Sequence, residues 1–239
     1  VPSLYMYKNY LFDLDGTLLP MDMQNFTEHY FKSLCKKASP AIGIEPQVLI
    51  NSVLGGLKAM STNDGVENNH DVFWKAASSV CGKDLTQYSE LFDDYYKNEF
   101  EYAKRATQVT PYAKKSIDYI KQHGGRLIVA TNPIFPKVAT YKRLEWAGVS
   151  PDDFEYITVY ENSEFCKPNL KYFENICEKC KISPSDSIMV GNDVDEDLCA
   201  AKLGFDTYLV TDCIINRNDK DYSKFKHGSF ENFYDFLTK

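Results

Sequence analysis

Long apolar runs are missing from this chain. No stretch approaches the roughly 18 apolar residues that a membrane-spanning helix needs, so no membrane partner is expected. Basic charge is also in short supply. There are 27 Lys and Arg against 34 Asp and Glu, a formal net charge of -7. A nucleic-acid partner usually demands a basic face, so none is expected. Histidine is scarce and scattered, at His29, His70, His123 and His227. Cysteine occurs seven times, an odd count at irregular spacings, which argues against a disulfide framework. The one Cys-x-x-Cys pair, Cys177 and Cys180, lies in an apparent helix with no second pair and no nearby histidine. A zinc site wants four ligands, so none is read there. The opening "VPSLYMYKNY" has no apolar leader region, and the expected location is cytoplasmic with reduced thiols. There are no internal repeats and no low-complexity tracts.

What is present is the composition of a soluble globular protein. At 239 residues, 44% hydrophobic and 26% charged, it is one large domain or a domain with a sizeable insert. "KNYLFD" reads as a buried strand. From Met21 to about Arg105 the pattern is helical. Phe26, Tyr30, Phe31, Leu34, Cys35 and Ala38 share one helix face; Val72, Phe73, Ala76, Ala77 and Val80 share another. A third face carries Tyr88, Leu91, Phe92, Tyr95, Tyr96, Phe100 and Ala103. Pro46 suits a first helical turn, and Gly55-Gly56 should end or bend that helix.

Beyond the helical block the rhythm alternates. Thr110-Pro111 opens a helix that Gly124-Gly125 stop. Then come strand "RLIVA", helix "KVATYKRLEWAG", strand "FEYITVY", helix "NLKYFENICEKCK", strand "DSIMVG", helix "DEDLCAAKLG" and a last strand "DTYLV". The segment "TDCIINRNDKDYSKFKHGS" reads as a surface loop, and Phe230 to Leu237 as a terminal helix. Alternating strands and helices mean an α/β fold with a doubly wound, mostly parallel sheet.

Within such a sheet, "FDLDGTLL" poses a question: Asp13 and Asp15 sit one residue apart at the end of an apolar strand, where acids are costly. Thr131 follows "LIVA", Lys167 follows "YITVY", and Asp193 and Asp197 follow "SIMVG". All lie past the carboxyl ends of strands, the edge of a parallel sheet where ligands bind. Several carboxylates, one lysine and one hydroxyl suit magnesium and phosphate. Mg²⁺ favours carboxylates together with substrate phosphate and waters. Lysine adds a cationic contact, the hydroxyl a donor, and loop amides further donors.

These residues also resemble a known family. "DLDGT", "VATN", "CKPNLKYF" and "VGNDVDED" are similar, in order and strand placement, to motifs I to IV of the haloacid dehalogenase (HAD) superfamily. The resemblance is to its phosphatase-like subfamily I, with a helical cap of the C1 type. It implies a core over residues 1–19 and 108–239 and a cap over residues 20–107, hinged at "GTLLP" and "YAKRATQ". It implies that Asp13 is the nucleophile and Asp15 the general acid and base. Thr131 and Lys167 would hold the phosphate, with Leu14 and Asn132 beside it. Mg²⁺ would be held by Asp13, Asp193 and the carbonyl of Asp15. Many relatives read Gly-Asp in motif IV where this chain reads Gly191-Asn192-Asp193; the four-residue spacing to Asp197 selects Asp193 as the ligand over Asn192. Asp197 would orient Lys167 or a metal-bound water. The family's dehalogenases lack an acid two residues after the nucleophile, so Asp15 favours a phosphate ester as substrate. The implied function is a Mg²⁺-dependent phosphohydrolase acting on a small phosphorylated metabolite. The alternatives are a phosphomutase of the same fold and a non-catalytic phosphate-binding protein.

Overall fold

A computed structural model describes residues 7–239; residues 1–6, part of the opening read above for a leader, lie outside them. The sheet has six parallel strands in the order β3-β2-β1-β4-β5-β6. They are β1 (Asn9–Phe12), β2 (Arg126–Val129), β3 (Tyr156–Ile157), β4 (Ser187–Gly191), β5 (Asp206–Val210) and β6 (Lys226–Gly228). β1 is buried throughout, as a strand covered on both faces must be. Phe12 packs edge-on against Phe233, ring centroids 5.7 Å apart, in α8 (Phe230–Thr238). Leu11 joins the opposite cluster with Phe173 and Ile176, from α7 (Leu170–Cys180). No described helix is long and apolar enough to cross a membrane.

The order of the strands locates the crevice. From β1 the chain builds outward to β2 and β3, then crosses back to place β4 on the other side of β1. This reversal leaves a gap above the carboxyl ends of β1 and β4, where no crossover helix fills the space. Asp13 follows β1 directly and Asn192-Asp193 follow β4.

Residues 23–106, between β1 and β2, are helical. They hold α1 (Met23–Ile42), α2 (Pro46–Ser61), α3 (Asn69–Cys81), α4 (Ser89–Lys97) and a 3₁₀ stretch Glu99–Ala106. The two connections to the sheet region run side by side. Gln108 N–H donates to the Pro20 carbonyl at 2.8 Å and Asp22 N–H to that of Ala106 at 3.0 Å. After them, α5 (Pro111–Gln122) opens with Thr110 accepting from the Tyr112 amide, as its sequence predicts, and α6 is Lys137–Trp146.

Several expectations need correction. Gly55-Gly56 does not end α2, which continues to Ser61. Their purpose is close approach: a β-carbon on Gly56 would overlap the ring of Phe73 in α3. Gly56→Ala gains about 1 kcal/mol of helix propensity but overpacks at a cost of about 1–3 kcal/mol. A net loss near 1 kcal/mol is expected, read from the urea midpoint. Val80, assigned to the buried face of α3, is exposed. The third aromatic face is not one helix, because the helix breaks at Asn98. The Asn98 side chain bonds the Asp94 carbonyl at 3.1 Å and its carboxylate at 2.8 Å, in place of helix continuation.

Strand "FEYITVY" pairs only at Tyr156–Ile157, because the Asn162 amide takes the Val159 N–H and the Ile157 carbonyl. "DEDLCAAKLG" is a turn followed by a 3₁₀ helix, Leu198–Leu203. "DTYLV" is not the last strand: β6 lies inside the segment read as a loop.

Candidate active site

Asp13 is pinned at the sheet edge by its own amide, which donates to the Val190 carbonyl at 2.9 Å. The chain then turns sharply: Leu19 N–H bonds the Leu14 carbonyl at 2.9 Å, and Gly16 has φ +83°. That left-handed conformation suits glycine, and a β-carbon at Gly16 would also strike the Asn192 side chain. The turn places Thr17 over Asp13, with its hydroxyl 3.3 Å from Asp13 Oδ2 and 3.1 Å from Asn192 Oδ1.

Lys167 lies behind Asp13, 4% exposed. Its amine donates to Asp13 Oδ1 at 3.0 Å, Asp197 Oδ1 at 2.7 Å and the Ala130 carbonyl at 3.0 Å. Three donors meet three acceptors, which saturates an ammonium group. Burial opposes the charge on Lys167, but Asp13 and Asp197 overcome it and hold the proton well above the usual range. Burial pushes the Asp13 carboxyl up; Lys167 pulls it partly back, and Asp197 and Asp15 push it further. Asp15 is also raised by burial, against Arg143 and Lys167.

Asp197 is fully engaged: its second oxygen accepts the Asp193 amide at 2.9 Å. It thus ties the Lys167 amine to the turn after β4. Asp193 Oδ1 accepts the amides of Asp195 and Glu196, each at 2.9 Å, and Oδ2 accepts Arg217 Nη1 at 2.7 Å. These carboxylate bonds consume the amides that a helix would need, which is why the segment after β4 is a turn. Asn192 spends its amide on Thr17 and on the Cys213 carbonyl at 2.7 Å, which makes it a brace between β4 and the first turn.

Thr131 and Asn132 line the same cavity as Asp13, Asp15 and Asp193, a space of roughly 260 Å³. The Thr131 carbonyl accepts from Tyr172 and Thr158, both at 2.7 Å. Asn132 Oδ1 accepts the Lys167 amide at 3.1 Å. Leu14 is buried in the core and does not line the cavity. A wider groove of roughly 990 Å³, over the outer face of α1 and Glu99–Arg105, contains none of these residues.

Two arginines escaped the sequence reading. Arg143, from α6, is completely buried, with Nε 3.0 Å from Asp15 Oδ1 and its guanidinium over the Phe135 ring at 4.3 Å. The pair is held by charge: none of the three guanidinium nitrogens has a well-directed hydrogen bond among the described residues. The available signal was spacing, since Ala139, Thr140, Arg143 and Leu144 share the buried face of α6. Arg217 comes from the segment read as a loop. Ile215 anchors that segment, accepting from the Val194 amide at 3.0 Å and donating to the Asn192 carbonyl at 2.8 Å.

Among the described residues, no three Asp, Glu, His or Cys side chains group closely enough to hold a cation alone. Asp13 and Asp193 line the same cavity, and their carboxylate oxygens are donors of the hard type that Mg²⁺ prefers. The charges of the lining fit a cation as well: four carboxyl groups, Asp13, Asp15, Asp193 and Glu196, share the cavity with one cationic side chain, Arg217.

An acidic rim at the switch point of a parallel sheet, sharing a cavity with a helical insertion, defines an α/β enzyme. Residues 7–204 match the haloacid dehalogenase-like hydrolases, and the chain belongs to that family. It is 25% identical over 208 residues to a phosphoglycolate phosphatase of Vibrio vulnificus, covering 84% of this chain and 82% of that protein. The HAD phosphatase of Thermococcus onnurineus has the same fold, with a TM-score of 0.61, 20% identity and coverage of 96% of this chain and 97% of that one. So does the HAD-hydrolase YfnB of Bacillus subtilis, crystallised bound to magnesium: TM-score 0.59, 21% identity, 98% of this chain and 99% of that one. A 2-haloacid dehalogenase of Pseudomonas syringae pv. Tomato is equally alike, with a TM-score of 0.62, 16% identity and coverage of 97% and 98%. Fold alone therefore does not choose between ester and carbon–halogen cleavage.

Proposed function

We propose that this hydrolase cleaves a phosphate monoester of a small metabolite through a phosphorylated Asp13. The observation that carries the reading is the Asp13–Lys167–Asp197 relay beside a second, separately held acid, Asp15. Asp13 would attack phosphorus while the bond to the leaving oxygen breaks, and Asp15 would give that oxygen its proton. Asp15 would then take a proton from water as the water attacks the acyl phosphate, releasing inorganic phosphate and restoring both carboxyl groups. Burial raises both carboxyls, but Asp13 alone accepts a hydrogen bond from a cation, Lys167, which favours its ionised form; Mg²⁺ would favour that form further and leave the proton to Asp15. Mg²⁺, held by Asp13, Asp193 and the Asp15 carbonyl, would supply charge neutralisation between nucleophile and phosphate dianion. Thr131 would bind a phosphate oxygen, and Lys167 would do so by exchanging one of its three present bonds, that to the Ala130 carbonyl, for the phosphate.

Residues 20–107 would act as a cap over a core of 1–19 and 108–239, excluding water from the reaction. Seven free cysteines suit a reducing compartment, and we place the protein in the cytoplasm.

Phosphate release from a panel of phosphorylated metabolites tests the reading. Activity is expected to vanish with EDTA and return with excess Mg²⁺. A rate unaffected by exhaustive chelation would exclude the metal, and silence across the panel would exclude the hydrolase.

Arg143→Met keeps the packing against Phe135 but removes the charge beside Asp15. A fall in kcat of about 10-fold is expected, as for other groups that orient a working side chain, with KM little changed. A kcat equal to wild type would show that Asp15 does not depend on Arg143.

A further inference from the structure

The cavity above Asp13 has two unlike walls. The sheet side carries Asp13, Asp15, Asp193 and Glu196. The opposite side is built of rings and aliphatic groups, among them Phe26, Phe31, Leu57 and Phe73 of the helical insertion and Phe135. The tyrosines in this wall have their polar ends occupied: Tyr30 and Tyr96 share a hydroxyl–hydroxyl bond of 2.9 Å, and the Tyr160 hydroxyl accepts from Trp74 at 3.2 Å. Among the described residues lining the cavity, Arg217 is the sole cationic one, and it sits at the sheet side on Asp193. The lysines of α1, Lys32, Lys36 and Lys37, open instead onto the outer groove. Within the segment Gly55 to Lys58, only Leu57 faces the cavity.

We infer that the alcohol released by this site is uncharged and ring-bearing, seated against the aromatic wall. The inference rests on the phosphomonoester hydrolase reading above. With phosphate at Asp13, the rest of the ester must extend along that wall. A flat ring there gains edge or stacked contacts with Phe31, Phe73 or Phe135. A carboxylate in the same place would lose its water without meeting a cation of the lining, since Arg143, against the Phe135 ring, is completely buried and paired with Asp15. The site thus disfavours 2-phosphoglycolate, despite the 25% identity to a phosphoglycolate phosphatase.

The test compares kcat/KM for benzyl phosphate and 2-phosphoglycolate, both esters of primary alcohols, using the full chain with Mg²⁺. Acetyl phosphate, which has no bulky leaving group, reports on the hydrolase itself. Benzyl phosphate is expected to be favoured by about 100-fold or more, the scale on which mismatched polar groups are rejected. Leu57→Lys puts a cation into the wall and is expected to shift the ratio at least about 10-fold toward 2-phosphoglycolate. The wild-type ratio stands whether or not that variant folds. Equal rates, a preference for 2-phosphoglycolate, or turnover of acetyl phosphate without benzyl phosphate would overturn the inference and leave the hydrolase standing. No turnover of any of the three would overturn the hydrolase reading.

Discussion

Asp13→Asn is expected to cut turnover by about 10⁴-fold or more, the scale set by removal of a nucleophile, while leaving the protein folded. Asparagine has the shape of aspartate and can still accept from Lys167 Nζ, now 3.0 Å from Oδ1. It cannot form the acyl phosphate. Stability should move the other way. Burial raises the proton affinity of Asp13 in the fold, so holding it ionised costs stability as pH climbs from the ordinary carboxylate range toward neutrality. A neutral amide in the same place carries no such cost. The variant should therefore melt within about 4 °C of wild type, or above it, and the rise in melting temperature that Mg²⁺ is expected to give wild type should be lost. Activity near the wild-type rate would remove Asp13 from the chemistry.

Lys167→Met should lose both activity and stability. Methionine fills much of the space, but Asp13 and Asp197 then face each other with no cation between them, the latter 1% exposed. Breaking a buried ion pair from one side costs about 3–5 kcal/mol. In a chain of this length that lowers the melting temperature by roughly 10 °C. Turnover should fall at least about 100-fold, because the cation that favours the ionised form of Asp13 against burial is gone. Adding Asp13→Asn to Lys167→Met should recover part of the lost stability, since one of the stranded carboxylates disappears. Strict additivity of the two melting shifts would show that the contact between residues 13 and 167 carries no energy.

The contrast between these variants reflects what the sequence makes visible. Asp13, Thr131, Lys167 and Asp193 are each legible because they follow an apolar strand, and parallel strands bring their carboxyl ends to one edge. The pairing of Asp197 with Lys167 is implied only by the family resemblance, as one of two roles, and the saturation of the Lys167 amine is not legible at all. That depends on three-dimensional closeness across 30 residues of chain. Arg143 was hidden for a different reason. Its long side chain works from inside a helix, and the helical pattern registers only that its face is buried. Arg217 was hidden by polarity: a segment rich in Asn, Asp and Lys reads as solvent-facing, yet Ile215 ties it to the turn after β4. The turn at Asp193 to Asp197 misled in the same way, because short carboxylates at a helix start can cap a helix or replace its bonds, and here they replace them. The glycine pair in α2 reads as a breaker, but its use is contact with α3, which only packing reveals.

The most direct measurement is acid quenching of the enzyme during turnover of a phosphate ester, followed by proteolysis and mass analysis of the peptide that begins at Asn9. Phosphate bound to Asp13, appearing in wild type and absent from Asp13→Asn, is the predicted result. Sustained turnover with that peptide unmodified, or with phosphate carried on another residue, would contradict it.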